Sequence, residues 1–269
     1  QATSPTAQWD GSHIAFLGRV RASDPAGSIW QVPPTGGDTI TSSIVVRRVP
    51  NGNSTLGAPR FAPTGSMLLW ESDSTANPAN FGRPKPWKRD ATNLGTQPIP
   101  IAPTTADPLN NASAEFIHAY WNGAWSGLGD SIVFESYDNF SSTRVSRGLY
   151  KLSASGSPPN NPEPFLQWLN DLDATEPDWS PDGQHIVFAR RVLGRTDRDI
   201  WIINAHASDP STAVRVTTGI ADEFHPRFSS DGLKIFFVSN RVDGYGANGL
   251  YDTERRGYNI WSVGRFDLP

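Results

Sequence analysis

Apolar residues recur along this chain in short runs of three or four, not at the three-to-four spacing of an amphipathic helix. The clearest runs are Ile14-Ala15-Phe16, Leu68-Leu69-Trp70, Ile132-Val133-Phe134, Ile186-Val187-Phe188 and Ile235-Phe236-Phe237. Each begins three residues after a glycine: Gly11, Gly65, Gly129, Gly183 and Gly232. Those glycines are separated by 54, 64, 54 and 49 residues. Such β-branched and aromatic runs, bounded by turn residues, predict strands.

What precedes each glycine also repeats. Trp179-Ser180-Pro181-Asp182-Gly183 is the fullest copy, and Phe228-Ser229-Ser230-Asp231-Gly232 and Trp125-Ser126-Gly127-Leu128-Gly129 follow it. Phe61-Ala62-Pro63-Thr64-Gly65 and Ala7-Gln8-Trp9-Asp10-Gly11 are more degenerate. Pro presets φ, Asp caps its own turn and Gly takes the left-handed position, so each copy predicts a tight antiparallel hairpin. Six residues before the glycine stands Pro5, Pro59, Pro177 or Pro226, with Gly123 in the third copy. The expectation is a proline at the first residue of a strand, where no ladder donor is lost. A third strand is predicted at Ile29-Trp30, Leu149-Tyr150, Ile200-Trp201 and Ile260-Trp261. In the second unit it is hard to place, and residues 84–87 fit poorly. A fourth is predicted at 45–49, 97–101, 164–169 and 213–217. The fifth unit has no evident fourth strand: that blade has three strands, or residues 1–6 add an edge, or the native chain is longer.

The pattern Pro-x-Trp-Ser-Pro-Asp-Gly-x-x-Ile-x-Phe, followed by Asp-Ile-Trp, resembles the TolB-type β-propeller repeat. Residues 176–219 carry it most fully. The resemblance implies an all-β fold, a β-propeller, and the five repeats predict five blades of three to four antiparallel strands each, the last blade incomplete. It implies one propeller domain over residues 1–269. Propellers of this kind serve as scaffolds, as peptidase accessory domains and in sugar-active proteins, so fold alone does not assign a role.

Composition narrows the classes. The chain has 269 residues, 23 Lys+Arg against 27 Asp+Glu, and a net charge of -4. That balance argues against a nucleic-acid partner, which needs a basic stripe. No apolar window reaches the length of a membrane-spanning helix. With 0 Cys, disulfides and thiol chemistry are excluded. The polar Ser/Thr/Pro start at Gln1 fits a mature N-terminus after signal cleavage and equally an arbitrary start within a longer chain, and the resemblance makes the expected location extracytoplasmic. No Gly-x-Ser-x-Gly elbow supports acyl transfer.

Candidate chemistry lies where innermost strands begin, since propeller symmetry brings equivalent positions round one axis. Residues seven before the glycines are Ser4, Ala58, Asn122, Glu176 and His225, and two positions on stand Thr6, Arg60, Ala124, Asp178 and Arg227. With Asp173, Asp222 and Glu223 they form a candidate binding rim: Arg60, Asn122, Asp173, Glu176, Asp178, Asp222, Glu223, His225 and Arg227. A second candidate is the glycine-rich stretch 240–259, where Asp243, Asn248 and Asp252 offer oxygen donors to calcium, without the spacing of a twelve-residue calcium loop. No other cofactor is implied, and no catalytic residue is assigned. Arg83-Pro84-Lys85-Pro86-Trp87-Lys88-Arg89 is a local basic cluster, read as a solvated insertion. The resemblance implies protein partners at the cell envelope, so the expectation is a non-catalytic binding or scaffold module with a protein partner, as a subunit of a cell-envelope or surface assembly, with glycan as a second candidate ligand. The alternative is a carbohydrate-active propeller enzyme, a glycosidase or polysaccharide lyase, using rim carboxylates or His118 and His225.

Overall fold

The computed structural model describes residues 2–18, 28–35, 43–46, 57–72, 85–95, 97–101, 118–138, 145–154, 163–166, 173–192, 194–241 and 257–264. Nineteen strands in these residues form five small antiparallel sheets. The first holds β1 (Ala2–Ala7), β2 (Ile14–Gly18), β3 (Ser28–Val32) and β4 (Ser43–Val46). The second holds β5 (Arg60–Phe61), β6 (Met67–Ser72), β7 (Lys85–Asp90) and β8 (Ile99–Pro100). The third holds β9 (His118–Trp125), β10 (Ser131–Asp138), β11 (Val145–Ser153) and β12 (Glu163–Leu166). The fourth holds β13 (Asp173–Trp179), β14 (His185–Arg191), β15 (Arg198–Asn204) and β16 (Val214–Arg215). The fifth holds β17 (Glu223–Phe228), β18 (Lys234–Ser239) and β19 (Asn259–Gly264), with no fourth strand among the described residues. Strands follow one another in sequence order within every sheet. First strands of successive sheets touch, β1 on β5, β5 on β9, β9 on β13 and β13 on β17. They therefore form the inner wall.

The hairpin turns have the chemistry their residues call for. Ser180 Oγ donates to Asp182 Oδ1 at 2.5 Å, the Gln184 N–H donates to the same oxygen at 3.0 Å, and the His185 N–H donates to Ser180 Oγ at 2.9 Å. Ser229, Asp231, Leu233 and Lys234 repeat this network in the fifth sheet. Gly183 sits at φ +72°, a conformation that only glycine adopts without strain.

The core is built between sheets, not within them. The residue four after each glycine faces the next sheet, and those three and five after face the previous one. Thus Ala15 and Ile29 pack on Phe61, Leu68 and Trp70. Leu69 packs on Trp125, Ile132 and Phe134. Val133 and Leu149 pack on Trp179, Ile186 and Phe188, and Val187 and Ile200 pack on Ile235 and Phe237.

Several sequence expectations are corrected. The basic stretch around Trp87 is not a solvated insertion. It is β7, the missing third strand of the second sheet, and Trp87 pairs with Trp70 as Trp30 does with Phe16 and Trp201 with Phe188. Pro86 inside β7, with Pro84 before it in the sequence, hid it. Residues 2–7 do not edge the fifth sheet, because they pair with β2. Fourth strands lie at Ser43–Val46, Ile99–Pro100, Glu163–Leu166 and Val214–Arg215, shifted or shorter than expected. The prolines do not open strands either. Pro5, Pro177 and Pro226 lie within β1, β13 and β17, inside register slips between Thr3 and Thr6, Thr175 and Asp178, and Phe224 and Arg227. A bulge asks for no ladder donor there, so proline fits it.

Trp179 is buried and donates its indole N–H to the Gly183 carbonyl at 3.0 Å. Trp179→Ala is expected to cost about 3–5 kcal/mol. Gly183→Val, with open space around the new side chain, is expected to cost about 1–3 kcal/mol through backbone strain alone. Urea unfolding of both variants checks the register, and an unchanged midpoint for either would contradict it.

Candidate functional site

The bulges place one residue of four inner strands in the left-handed region. Ser4, Asn122, Glu176 and His225 have φ of 53°, 54°, 55° and 52°. These are the positions seven before the turn glycines. In the second sheet, whose inner strand is only Arg60–Phe61, Ala58 does not adopt this φ. A non-glycine residue held there costs about 1–3 kcal/mol, so its surroundings must fix it.

At three of the four, a carboxylate from the preceding sheet takes a bulge amide. Glu71 Oε1 accepts the Gly123 N–H at 2.6 Å. Glu135 Oε2 accepts the Glu176 N–H at 2.8 Å, and its Oε1 accepts from Asn122 Nδ2 at 2.7 Å. Glu176 Oε2 accepts the His225 N–H at 2.6 Å, while its Oε1 lies 3.1 Å from His225 Nδ1. Glu71 and Glu135 occupy the same repeat position, six after their glycines. The fourth sheet has Ala189 there, and Glu176 of its inner strand takes over the task. Gly57 is part of the arrangement, since a Cβ on it would sit 2.2 Å from Glu71 Oε2.

A second layer lies two residues along each inner strand. Asp178 Oδ2 accepts the Phe228 N–H at 2.8 Å, and Thr6 Oγ1 accepts the Phe61 N–H at 3.4 Å, again from one sheet to the next. Arg60 and Arg227 share the field of Asp178. Burial pushes the Asp178 carboxyl up, and the two guanidiniums offset only part of that. Burial, then the like charge of Arg227, push Arg60 down to about 10 against the pull of Asp178, Glu71 and Glu135. Glu71 is raised by burial, opposed by the Gly123 N–H and by Arg60. Burial also pushes Glu176 up, but its hydrogen bonds and charge contact with His225 outweigh this and leave it below its usual range. Residues of the second, third, fourth and fifth sheets thus meet in one electrostatic cluster.

The structure divides the expected rim. Glu176 and His225 come together, as do Arg60, Asp178 and Arg227. Asn122 joins through Glu135. Asp222 and Glu223 belong elsewhere. Asp222 takes the Arg198 N–H, Nε and Nη2 at 3.0, 2.9 and 2.8 Å, which clips the fourth sheet to the fifth. Glu223 is buried within its sheet against Arg241 and Ser239. The side chain of Asp173 and the whole of Asp243, Asn248 and Asp252 lie outside the described residues. Among the described residues, no group of three or more His, Asp or Glu is arranged to hold a metal ion. Glu71 and Glu135 were missed in the sequence. Their signal was present, as Trp70-Glu71-Ser72 and Phe134-Glu135-Ser136 repeat one triplet at one spacing.

Glu71→Ala is expected to cost about 2–3 kcal/mol in urea unfolding, and Glu71→Gln, which keeps an acceptor, about 1 kcal/mol. The hydrogen bond from Arg198, opposed by partial burial, holds the Asp222 carboxyl below its usual range. Its stabilisation is therefore present above the unfolded carboxylate value and lost as pH falls through the folded one. Asp222→Asn should lower stability by about 1 kcal/mol at neutral pH, and the gap to wild type should close below about pH 4. A gap that persists in acid would contradict the ion pair.

No family model and no curated protein matches the chain. Solved structures do. TolB from Acinetobacter baumannii superposes with a TM-score of 0.58 at 17% identity, over 90% of this chain and 49% of that one. A TolB from Agrobacterium tumefaciens gives 0.59 at 17% identity, over 98% and 82%. An oligogalacturonate lyase solved with manganese gives 0.58 at 15% identity, over 98% and 62%. The chain thus spans about half the length of the first and most of the second, and what these likenesses show is the architecture: an all-β, TolB-like propeller.

Proposed function

We propose that this protein is a non-catalytic binding module acting outside the cytoplasm, and that it holds a protein partner at the mouth of its channel. One observation carries the reading. Among the described residues, the carboxylates along the inner wall are committed to backbone N–H groups of the next sheet: Glu71, Glu135, Glu176 and Asp178 all act as clamps. A general acid or nucleophile must instead reach the substrate. What the mouth offers outward is the His225 side chain, 54% exposed beside the Glu176 carboxylate. A mixed polar surface of this kind suits recognition of a polar loop more than burial of an apolar one.

The carbohydrate-active alternative has one observation in its favour, the raised carboxyls of Glu71 and Asp178. A raised acid in a cleft is what general acid catalysis uses. Both groups, however, accept a backbone hydrogen bond, and burial alone accounts for the direction of the shift.

The experiment places a photoreactive benzoylphenylalanine at position 225, and separately at Leu128 in a hairpin turn at the other end of the strands. Illumination in envelope extract should give one discrete crosslinked protein from position 225 and none from 128, and Glu176→Ala should weaken it. Equal crosslinking from both positions would contradict a channel-mouth site. Turnover of polygalacturonate with added manganese or calcium, lost in Asp178→Asn, would establish the enzyme instead.

A further inference from the structure

A cavity of about 550 Å³ opens between the hairpin turns of the third and fourth sheets, at the end of the strands away from the channel mouth. Its volume lies in the range of small-molecule sites. Fixed contacts border it. Gly127 lays its backbone on the turn of the fourth sheet, and a Cβ there would collide with the Pro181 carbonyl. The Lys151 ammonium reaches across and donates to the Ala205 carbonyl at 2.9 Å. The same strut joins earlier sheets, where Lys88 Nζ donates to the Ala154 carbonyl and Gln31 Nε2 to the Ala91 carbonyl. The two sheets are therefore pinned at two points along the border of the cavity, which gives it a set shape.

Its polar lining is largely uncommitted. Asp130 accepts Ser126 Oγ at 2.7 Å through one oxygen. Among the described residues, its other oxygen, the Ser131 hydroxyl, the Gln184 side-chain carbonyl and the His206 ring have no protein partner. Asp130, Gln184 and His206 are exposed. Leu128, in the same lining, is 78% exposed, and the otherwise buried Leu152 and Trp179 add apolar wall. The fixed charge is one-sided. Asp130 and Asp182 face the cavity, and Lys151, the one Lys or Arg of the lining, is held on the Ala205 carbonyl.

We propose that this cavity between the third and fourth sheets binds a neutral pyranose sugar. The site is separate from the partner surface at the channel mouth. The open acceptors of Asp130 and Gln184 call for a ligand that brings hydroxyl donors. Ser131 and His206 each both donate and accept, and so can serve its ring oxygen and remaining hydroxyls. The C–H faces of the ring meet Leu128, Leu152 and Trp179. A wholly apolar ligand would strand the polar groups without partners. A uronate or a phosphate would meet two carboxylates with no uncommitted Lys or Arg to offset them.

The test records ¹H–¹⁵N spectra of the protein with the methyl glycosides of glucose, galactose, mannose and N-acetylglucosamine. At least one should shift the Ser131 and Gln184 amides and the Trp179 indole N–H, with a Kd of about 1–10 mM, and leave the Gly123, Glu176 and His225 amides of the mouth unmoved. Gln184→Ala and His206→Ala remove exposed side chains. Together they should weaken binding about tenfold while the melting temperature stays unchanged. Methyl glucuronide should bind more weakly than the best neutral sugar. Absence of any shift at about 50 mM of all four glycosides would overturn the proposal. So would shifts confined to the mouth amides, or full binding in the double variant. A stronger response to methyl glucuronide or to putrescine than to every neutral sugar would overturn it too, because charge would then select the ligand.

Discussion

A carboxylate on one sheet that accepts an N–H from a bulge on the next is the contact on which the inner wall depends. Four of the five inner strands interrupt their ladder at a bulge, and each bulge spends one residue in the left-handed region. That residue is strained, and the bulge leaves an amide without a ladder partner. Glu71, Glu135 and Glu176 supply the acceptors, each from the sheet before. Charged acceptors make stronger hydrogen bonds than neutral ones, so one contact offsets the strain and fixes the angle between sheets. Apolar packing between sheets then has a defined geometry in which to act, and the side chains of Trp70, Phe134 and Phe188 disappear into it.

Bringing these acids inward obliges the protein to bring cations with them. Arg60 and Arg227 stand among Glu71, Glu135 and Asp178, and the directions of the pKa shifts record the contest between burial and partner charge. Burial prevails at Glu71, Asp178 and Arg60. At Glu176, nearer the outside and in contact with His225, the partner prevails. Buried ionic clusters add little net stability compared with apolar packing, but they penalise misplacement heavily.

Much of the fold was legible because the repeat states it directly. The Ser-Pro-Asp-Gly turns fix the hairpins, and the run after each glycine fixes the second strand. The third strand of the second sheet was not legible, since Pro84 and Pro86 argue against a strand and only the pairing of Trp70 with Trp87 reveals it. For the site, the spacing located the left-handed positions and the Arg60–Asp178–Arg227 layer, because residues at one repeat position share one place around the axis. It did not separate Asp222 and Glu223 from that layer. Their partners Arg198, Ser239 and Arg241 come from other strands, and a carboxylate next to an inner strand reads the same whether it faces the axis or an arginine. Glu71 and Glu135 sit in second strands, where attention to the inner strand alone does not look.

The claim that the mouth carboxylates are clamps is tested most directly by native-state hydrogen exchange at three amides: Gly123, Glu176 and His225. His225 lies at an exposed position, and a bulge amide without an acceptor there would exchange almost as fast as one in an unfolded chain. The account predicts protection of about a thousandfold or more at all three, lost at His225 alone in Glu176→Ala. Exchange of these amides at unprotected rates in the wild-type protein would contradict it.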